Sequence, residues 1–504
     1  MSRAPYRGMT LAVLAMFMLA GCANTSDVRI VASRPVSEST TSINNQPLEA
    51  PDDDGESDTS TPTSSQPPLS AETTDIELSE VVDVDPKRIP QPDDAIVAAA
   101  ILDIEEWATE VLIDTYGLDG TPARGGVFAG HPDRRVALPG CGTDSTDYRD
   151  LMEYVALYCP VDEFVIYDDG PDGLLGSLAA ENGGISIGVV LAHEFGHFIQ
   201  DRVGVLDRNL PTVVTEQHAD CLAGAWLGRA SAGRSPNLTI GSDAIRAGLI
   251  ALVQVRDPAG VDTLSPGGHG TAFDRVGAFQ LGIDGGADRC AGIIDDPLPL
   301  MPNAYLSMDD YLRGGDAPYD CTTVDDPTCT DSWQFLGEDL NEFWSLSLGA
   351  SIEMEAWPVD SIAGVCADLR IVDGPIARCP TSNLVVFDAQ NVFDLYVEFG
   401  DFTLGYLLGL AWADLVLERE GSSVQSEPAL ADCLVGAWVD DITLGSRRSP
   451  NRESTVVTSP GDPDEAITML IHLADDTSST TLFDRVAAFR TGVLNGLERC
   501  LVPG

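Results

Sequence analysis

The second half of this chain repeats the first half, so the fold must provide two similar units. Three motifs of the first half, Cys-Pro, DCLAGAW and FDRVGAF, recur in the second half as Cys-Pro, DCLVGAW and FDRVAAF. They begin at residues 159, 220 and 273 in the first half and at 379, 432 and 483 in the second. Because the order is the same, we predict two homologous domains at 92–297 and 332–504, joined by a Pro- and Asp-rich connector at 298–331.

The cysteines follow the repeat. Each predicted domain holds four, in the same order, and two more lie eight residues apart in the connector. Four cysteines allow three pairings per domain, and the simplest choice gives both domains the same pairing. We therefore predict five disulfide bonds: Cys141–Cys159, Cys221–Cys290, Cys321–Cys329, Cys366–Cys379 and Cys433–Cys500.

The first domain contains the sequence HEFGH at residues 193–197. Residues four apart on a helix lie one turn apart on the same face, so His193 and His197 can bind one metal ion. Glu194 stands beside the first histidine, where it can act as general base on a metal-activated water. A histidine pair on a helix is more often solvated surface. Here the flanking residues are apolar, and burying these polar side chains without a role would be costly.

Two histidines leave zinc short of its usual three protein ligands. Glu216 is the natural third ligand, and Asp220, one helical turn further, is placed to hold a ligand imidazole from the second coordination shell. Acidic residues at this spacing also occur on ordinary exposed helices, so the assignment depends on their position after HEFGH. His218 lies about 200° around the helix from Glu216 and should face away from the metal.

Four segments now resemble the successive motifs of a known family. They are Tyr158-Cys159-Pro160, HEFGHFIQ from residue 193, EQHADCLAG from residue 216, and His269-Gly270. This pattern, covering about residues 95–295, is similar to the predicted neutral zinc metallopeptidases of bacterial envelopes. The resemblance implies a gluzincin-like site with two His and one Glu on zinc. Gln217-His218 departs from the Leu-Gln usual in the family, at positions without an assigned role.

The second domain lacks the predicted metal ligands. Aligning the two copies places Leu410, Ala411 and Asp414 at the positions of His193, Glu194 and His197, and Pro428 and Ser479 at those of Glu216 and His269. Glu427 lies one residue out of register and is not taken as a ligand. We therefore predict one zinc ion per chain and a single active site.

The same comparison bears on four other residues of the first domain. His269 is lost together with the ligands, so we predict an active-site role, donating a hydrogen bond to the oxyanion; the alternative is an ordinary loop histidine. Asp220 keeps a counterpart, Asp432, without any metal, so this aspartate either also has a structural role, such as a cap or a bond to arginine, or is a relic. Asp274 and Arg275 persist in both copies and are predicted to be structural.

The amino terminus carries an export signal. Two arginines precede an apolar run that ends in Leu19-Ala20-Gly21-Cys22. The pattern predicts a lipoprotein signal peptide at 1–21 and acylation of Cys22; an uncleaved anchor is less favoured, because the apolar run is too short to span a bilayer. Residues 22–91 are rich in Ser, Thr, Pro and Asp, which predicts a disordered tether. We expect a location in the cell envelope, anchored to the bacterial membrane, where disulfide bonds form.

The chain has a formal net charge of −52, and Lys87 is its only lysine. A surface this acidic repels nucleic acid and anionic lipid headgroups. Nucleic acid is therefore excluded as a partner.

We predict a tandemly duplicated α+β fold, mostly helical and zincin-like (gluzincin-type). Each domain has an entry helix, a strand near 164–168, an active-site helix that Ser186 could cap, a ligand helix at 215–226 and a final helix near 273–284. The predicted function is a membrane-anchored, extracytoplasmic zinc metallopeptidase that acts on protein or peptide. The alternative is a catalytically inactive envelope lipoprotein with a structural zinc, acting as a binding or scaffold protein. Hydrolysis of something other than peptide is also open.

Overall fold

The computed structural model of the protein describes residues 30–33, 72–73, 76–142, 148, 154–170, 172–241, 243–305, 307–321, 329–443, 456, 458–474 and 481–501. The predicted signal peptide, Cys22 and most of the predicted tether lie outside these residues, as does Ser479. In the described part of the chain, no helix combines the length and apolar character needed to cross a membrane.

The first half places its helices against a mixed five-stranded sheet, with strand order β1-β5-β6-β4-β3. In the centre of the sheet, β6 pairs with β5 in an antiparallel and with β4 in a parallel arrangement. The elements are β1 (Ile30–Ser33), β2 (Glu72–Thr73), α1 (Leu78–Val81), β3 (Val82–Asp83), α2 (Asp94–Asp114), β4 (Gly126–Gly130), β5 (Tyr154–Cys159), β6 (Phe164–Asp168), α3 (Leu174–Asn182), α4 (Ile185–Arg202), α5 (Thr212–Ser231), β7 (Leu238–Thr239), α6 (Asp243–Gln254) and α7 (Ala272–Cys290).

The second half is also mostly helical, around a four-stranded sheet of order β8-β11-β10-β9, and the connector contributes the short helix α8. The elements are α8 (Met308–Arg313), α9 (Ser332–Leu348), β8 (Glu355–Val359), β9 (Arg370–Asp373), β10 (Ile376–Cys379), β11 (Leu384–Asp388), α10 (Ala389–Phe399), α11 (Phe402–Arg419), α12 (Pro428–Thr443), α13 (Asp462–Leu473) and α14 (Leu482–Cys500). The structure is thus mixed α/β and mostly helical, as predicted.

The predicted tether extends too far toward the folded region. Residues 78–83, within the range predicted to be disordered, form α1 and β3, and β3 pairs in parallel with β4. Leu78 and Val82 are buried in the core. The error arose because composition was averaged over the whole segment, which hid two apolar residues able to join the sheet.

Several structural details recur between the halves. Helices α7 and α14 both begin with a capping box and both contain a glycine with φ of 67°, at Gly286 and Gly496. The glycines of the motifs DCLAGAW and DCLVGAW each pack against a backbone carbonyl. A Cβ at Gly224, for example, would lie 2.0 Å from the oxygen of Phe279. All five predicted cysteine pairs are disulfide-bonded.

The second half packs directly on the helix that closes the first half. The Asp464 carboxylate accepts hydrogen bonds from the backbone N–H groups of Ala272 and Phe273, each at 2.9 Å, at the amino end of α7. Arg490 donates to the Phe273 carbonyl and lies over its ring. One hydrophobic core extends through both halves. The second half therefore supports the segment from which Arg275 reaches the site described below.

The N3 residues of the two capping boxes should differ in how pH affects them. Burial raises the pKa of Asp274 from its ordinary value of 3.8 to about 7, whereas Asp484 occupies the same position in α14 but is exposed. The folded protein therefore resists ionising Asp274, and its contribution to stability falls as pH rises from about 4 to 7. Each pH unit by which the pKa values of Asp274 in the folded and unfolded states differ corresponds to about 1.4 kcal/mol of stability.

We expect Asp274→Asn to gain stability relative to the unsubstituted protein over that pH range, measured as the free energy of unfolding in urea. Asp484→Asn shows what the same change does to an exposed cap. A constant difference between Asp274→Asn and the unsubstituted protein at every pH would contradict the prediction.

Candidate metal centre

Two buried helices, α4 and α5, form the candidate site. Helix α4 begins directly after Gly183-Gly184 and is buried from Ile185 to Gln200. Ser186 does not cap it, because the cap position is Gly184 and Ser186 already lies in the first turn. The glycine of HEFGH permits close contact with α5, since a Cβ at Gly196 would lie 3.0 Å from the Cα of Ala219. This close approach brings Glu216 to the two histidines.

His193, His197 and Glu216 converge on one point. The two histidine Nε2 atoms are 3.1 Å apart. Glu216 Oε2 lies 3.1 Å from Nε2 of His193, and Oε1 lies 3.5 Å from Nε2 of His197. A tetrahedral zinc ion with ligands at about 2.0–2.1 Å holds its ligand atoms roughly 3.3 Å apart. Both Glu216 oxygens lack a hydrogen-bond donor. The donor types and spacings therefore fit zinc.

Asp220 and Arg275 orient the first ligand. Nδ1 of His193 lies 2.7 Å from Oδ1 of Asp220, so that carboxylate accepts the Nδ1 proton and leaves the Nε2 lone pair for a metal. Arg275, which is buried, donates to both Asp220 oxygens at 2.8 and 2.9 Å and to the Val255 carbonyl. Asp220 was predicted to hold a ligand imidazole and considered for a structural bond to arginine. The structure shows both contacts.

Gln200 orients the second ligand, and the sequence reasoning missed it. Its Oε1 accepts from Nδ1 of His197 at 3.0 Å, and its Nε2 donates to the Thr215 carbonyl at 2.6 Å. Gln200 thus fixes the tautomer of His197 and ties α4 to the start of the turn that carries Glu216. The signal was present in the spacing, because residues three apart on a helix lie on one face.

Glu194 lies beside the ligands and makes no hydrogen bond of good geometry among the described residues. Its side chain is buried, and the backbone N–H of Tyr158 is the least of the influences on the pKa of its carboxylate. Burial raises the pKa of Glu194 to about 8. A bound cation would favour the ionised form instead, because opposite charge lowers a carboxyl pKa. An unsatisfied buried carboxylate is expensive to maintain, which points to a group kept for proton transfer.

Without a bound metal, the charges of the protein favour the protonated form of His193. Burial lowers the pKa of His193, but the Asp220 and Glu216 carboxylates outweigh it and raise that pKa to about 10. Burial lowers the pKa of His197 to about 4. Burial opposes ionisation of Glu216, but His197, His269 and His193 outweigh it and hold its pKa low. Binding of zinc must therefore displace a proton from His193.

The two remaining histidines of this region face different surroundings. His269 is buried, and Asp257 holds it by accepting from its backbone N–H at 2.7 Å and contacting its Nδ1 at 3.2 Å. It contributes to the electrostatic surroundings of Glu216 and His197, which indicates that it lies near the metal site. No sequence signal indicated Asp257. His218 contacts the hydroxyl of Tyr116 at 3.0 Å and is not one of the converging ligands.

A comparison with known families now bears on this geometry. Residues 134–291 match the sequence model of the family described as "Putative neutral zinc metallopeptidase". This is the family predicted from the motifs. The matching segment contains HEFGH, Glu216 and His269 but no part of the second half.

Individual relatives cover less of the chain. The uncharacterized proteins Mb2605 of Mycobacterium bovis and Rv2575 of Mycobacterium tuberculosis are each 35% identical over 96 residues, which is 17% of this chain and 31% of each relative. The chain thus matches about a third of the length of these curated relatives. No solved structure matches it significantly.

Among the described residues, the equivalent place in the second half contains no converging set of metal ligands. Leu410 and Ala411 are buried apolar residues, and Asp414 forms an ion pair with Arg378 at 2.7 Å. Asp432 keeps its arginine, Arg485, at 2.7 Å. The hydroxyl of Tyr406 donates to Asp432 at 2.5 Å, where His193 contacts Asp220 in the first half. The arginine–aspartate pair is thus retained without ligands.

This correspondence allows the two roles of Asp220 to be separated. Asp220→Asn leaves the buried Arg275 without its ion-pair partner, so it should lower the free energy of unfolding by about 3–5 kcal/mol. Asp432→Asn should lower it by less, because Arg485 still has Asp373 at 3.7 Å. Only Asp220→Asn should also weaken zinc binding, by about 10–100-fold, because only Asp220 supports a ligand. Competition with a zinc chelator measures the affinity. Equal zinc affinity in the two variants would show that the contact with His193 contributes nothing.

Proposed function

We propose that the first half is a zinc peptidase whose ligands are His193, His197 and Glu216. One observation carries the proposal. Three ligand atoms converge beside the unpartnered carboxylate of Glu194, and among the described residues no fourth His, Cys, Asp or Glu joins the group. A structural zinc site is usually closed by four protein ligands, whereas a catalytic site keeps one position open. The family match supports a peptidase.

The chain itself supplies proton transfer and positioning. Zinc, when bound, would lower the pKa of a coordinated water and polarise the substrate carbonyl. Glu194 accepts the proton of the attacking water and delivers it to the leaving amine. Asp220 and Gln200 hold the histidine rings in the orientation that ligation requires. His269, fixed by Asp257, is proposed to donate a hydrogen bond to the oxyanion.

The test combines zinc content with cleavage. We expect the purified full chain to bind one zinc and to cleave proteins of an envelope extract. Cleavage should stop when a chelator removes the zinc and resume when zinc is restored. A zinc-loaded protein that cleaves no protein or peptide substrate would overturn the proposal.

A second candidate, an inactive lipoprotein with structural zinc, draws support from a different observation. The exposed fraction of His193, Glu194, His197 and Glu216 is 1% or less. A substrate can reach this site only if covering chain moves aside. Retention of one zinc with no turnover, together with slow zinc exchange, would favour this candidate.

We also propose that residues 332–504 are a degenerate repeat of 92–297, linked through 298–331. The shared cysteine pairs, capping boxes and buried arginine–aspartate pairs support common descent. The contacts of Asp464 and Arg490 with α7 support a role in bracing the first half. The proposed chain therefore has one active site and a second domain that serves as scaffold.

The proposed location is the cell envelope, with the chain tethered through acylated Cys22 after removal of residues 1–21. The support is the sequence LAGC following an apolar run, and the five disulfide bonds suit an oxidising compartment. Mass spectrometry of the mature amino terminus tests this. We expect a lipid on Cys22 and release of the protein from membranes in Cys22→Ser.

A further inference from the structure

A second group of carboxylates lies outside the metal centre described above. Asp316 belongs to the connector, Asp401 stands between α10 and α11, and Glu465 lies in the first turn of α13. One oxygen of each lies within 4.8 Å of the others. Three segments far apart in sequence thus bring negative charges together.

Backbone N–H groups hold Asp401 and Glu465. Asp401 accepts from the backbone N–H of Ala317, and Glu465 from that of Phe402, both at 2.8 Å. In the part of the chain that the structure describes, no lysine or arginine forms an ion pair with Asp401, Asp462 or Glu465.

Asp462 supplies an independent sign of a missing ligand. It lies on the same turn as Glu465, is only 5% exposed, and uses Oδ2 to accept from the Ser459 N–H. Among the described residues, no donor reaches its buried Oδ1 or the buried Oδ1 of Asp401. Of the charged groups around Asp462, Asp401 has the largest electrostatic influence on it, so Asp462 lies close to the group. A native fold rarely leaves two buried carboxylate oxygens unsatisfied unless a ligand completes them.

The chemistry of the donors selects the ligand. All are carboxylate oxygens, which suit hard cations, whereas zinc favours sites that include nitrogen or sulfur. Calcium binds oxygens at about 2.3–2.6 Å, so oxygens on opposite sides of the ion lie roughly 4.6–5.2 Å apart. We propose that Asp316, Asp401 and Glu465, with Asp462 beside them, bind one calcium ion. The proposal does not depend on the zinc site.

The position of this site gives the ion a structural role. It would join the connector to the start of α13, whose Asp464 binds the amino end of α7. Ser459 also donates to Asp310 at 2.7 Å, and the Tyr305 hydroxyl contacts the carbonyls of Ala259 and Gly314. Calcium should therefore stabilise the packing of the connector and the second half against the first.

The experiment uses the zinc-loaded full chain, dialysed free of calcium and then titrated with calcium chloride. We expect one bound calcium per chain and a rise in the thermal midpoint. Asp401→Asn and Glu465→Gln keep an acceptor for their backbone donors but remove a charge. Each should weaken calcium binding by at least about tenfold. Glu398→Gln, an exposed change on α10, should bind calcium normally.

The calcium-free state separates ion binding from a merely structural role. Without calcium, Asp401→Asn should melt at the same temperature as the unsubstituted protein or above it, because it relieves repulsion. If the Asp401 carboxylate acted only through its hydrogen bond, Asp401→Asn would instead lower the thermal midpoint both with and without calcium. The proposal is overturned if calcium does not shift the midpoint, if magnesium alone shifts it, or if both substituted proteins respond to calcium as the unsubstituted one does.

Discussion

Glu194→Gln should retain the zinc ion and lose peptidase activity. The substitution keeps the size of the side chain and touches none of the proposed ligands, which are His193, His197 and Glu216. It removes a buried carboxylate beside them that makes no hydrogen bond of good geometry among the described residues. Loss of a general base typically costs about 10²–10⁴-fold in rate. We therefore expect kcat to fall by about that factor while zinc content stays at one per chain.

The measurement pairs elemental analysis with peptide hydrolysis under substrate saturation. Glu181→Gln, an exposed change on α3, is the matched control and should keep both zinc and activity. Activity in Glu194→Gln equal to that of the control would assign the proton transfer to another group. Loss of zinc from Glu194→Gln would instead show that the glutamate acts on metal binding.

Much of the site could be predicted because its chemistry has a fixed spacing along a helix. HEFGH requires its two histidines to face one way, and the structure places both Nε2 atoms 3.1 Å apart. Glu216 was harder to predict, because it depends on how α4 and α5 pack. That packing is set by the contact of Gly196 with Ala219, which no pattern in one helix reveals. The repeat helped to predict the disulfide pairs, because a pairing shared by both domains leaves three schemes, and the simplest of them is the one that forms.

The supporting residues were harder to recognise. Gln200 could have been found from its position three residues after His197, but glutamine at that spacing is common on helices. Asp257 binds His269 from twelve residues away through a loop, which sequence spacing does not specify. The start of the ordered region was placed too late, because Leu78 and Val82 are buried only through contacts formed by the fold.

The proposed calcium site could not be predicted from the sequence for the same reason. Its members come from three separate segments of a chain in which acidic residues are abundant. Nothing local distinguishes Asp401 or Asp462 from the many exposed aspartates. Only the folded chain shows that these carboxylates lie together and that Asp462 is buried.

Glu216→Gln should abolish stoichiometric zinc binding. Glutamine keeps the shape of the side chain but replaces a charged ligand with a neutral one, beside two histidines whose Nε2 atoms are 3.1 Å apart. Loss of a supporting residue already weakens metal binding by about 10–100-fold, and loss of a ligand should exceed that. Activity should disappear with the metal. The stabilisation that zinc gives to the folded state should also fall, by RT ln of the change in affinity at saturating zinc.

The repeat supplies the control for this substitution. Glu427 precedes the first turn of α12, one residue from the position that corresponds to Glu216, and its carboxylate is exposed and accepts a hydrogen bond from Ser422. Glu427→Gln removes the same charge from the equivalent helix of the second half, so it should leave zinc content and activity unchanged. Zinc content is measured after dialysis against a weak chelator. If Glu216→Gln keeps its zinc, the third ligand lies elsewhere; if Glu427→Gln loses it, the second half is not free of metal-binding function. The two results together decide whether the chain has one site and where its third ligand is.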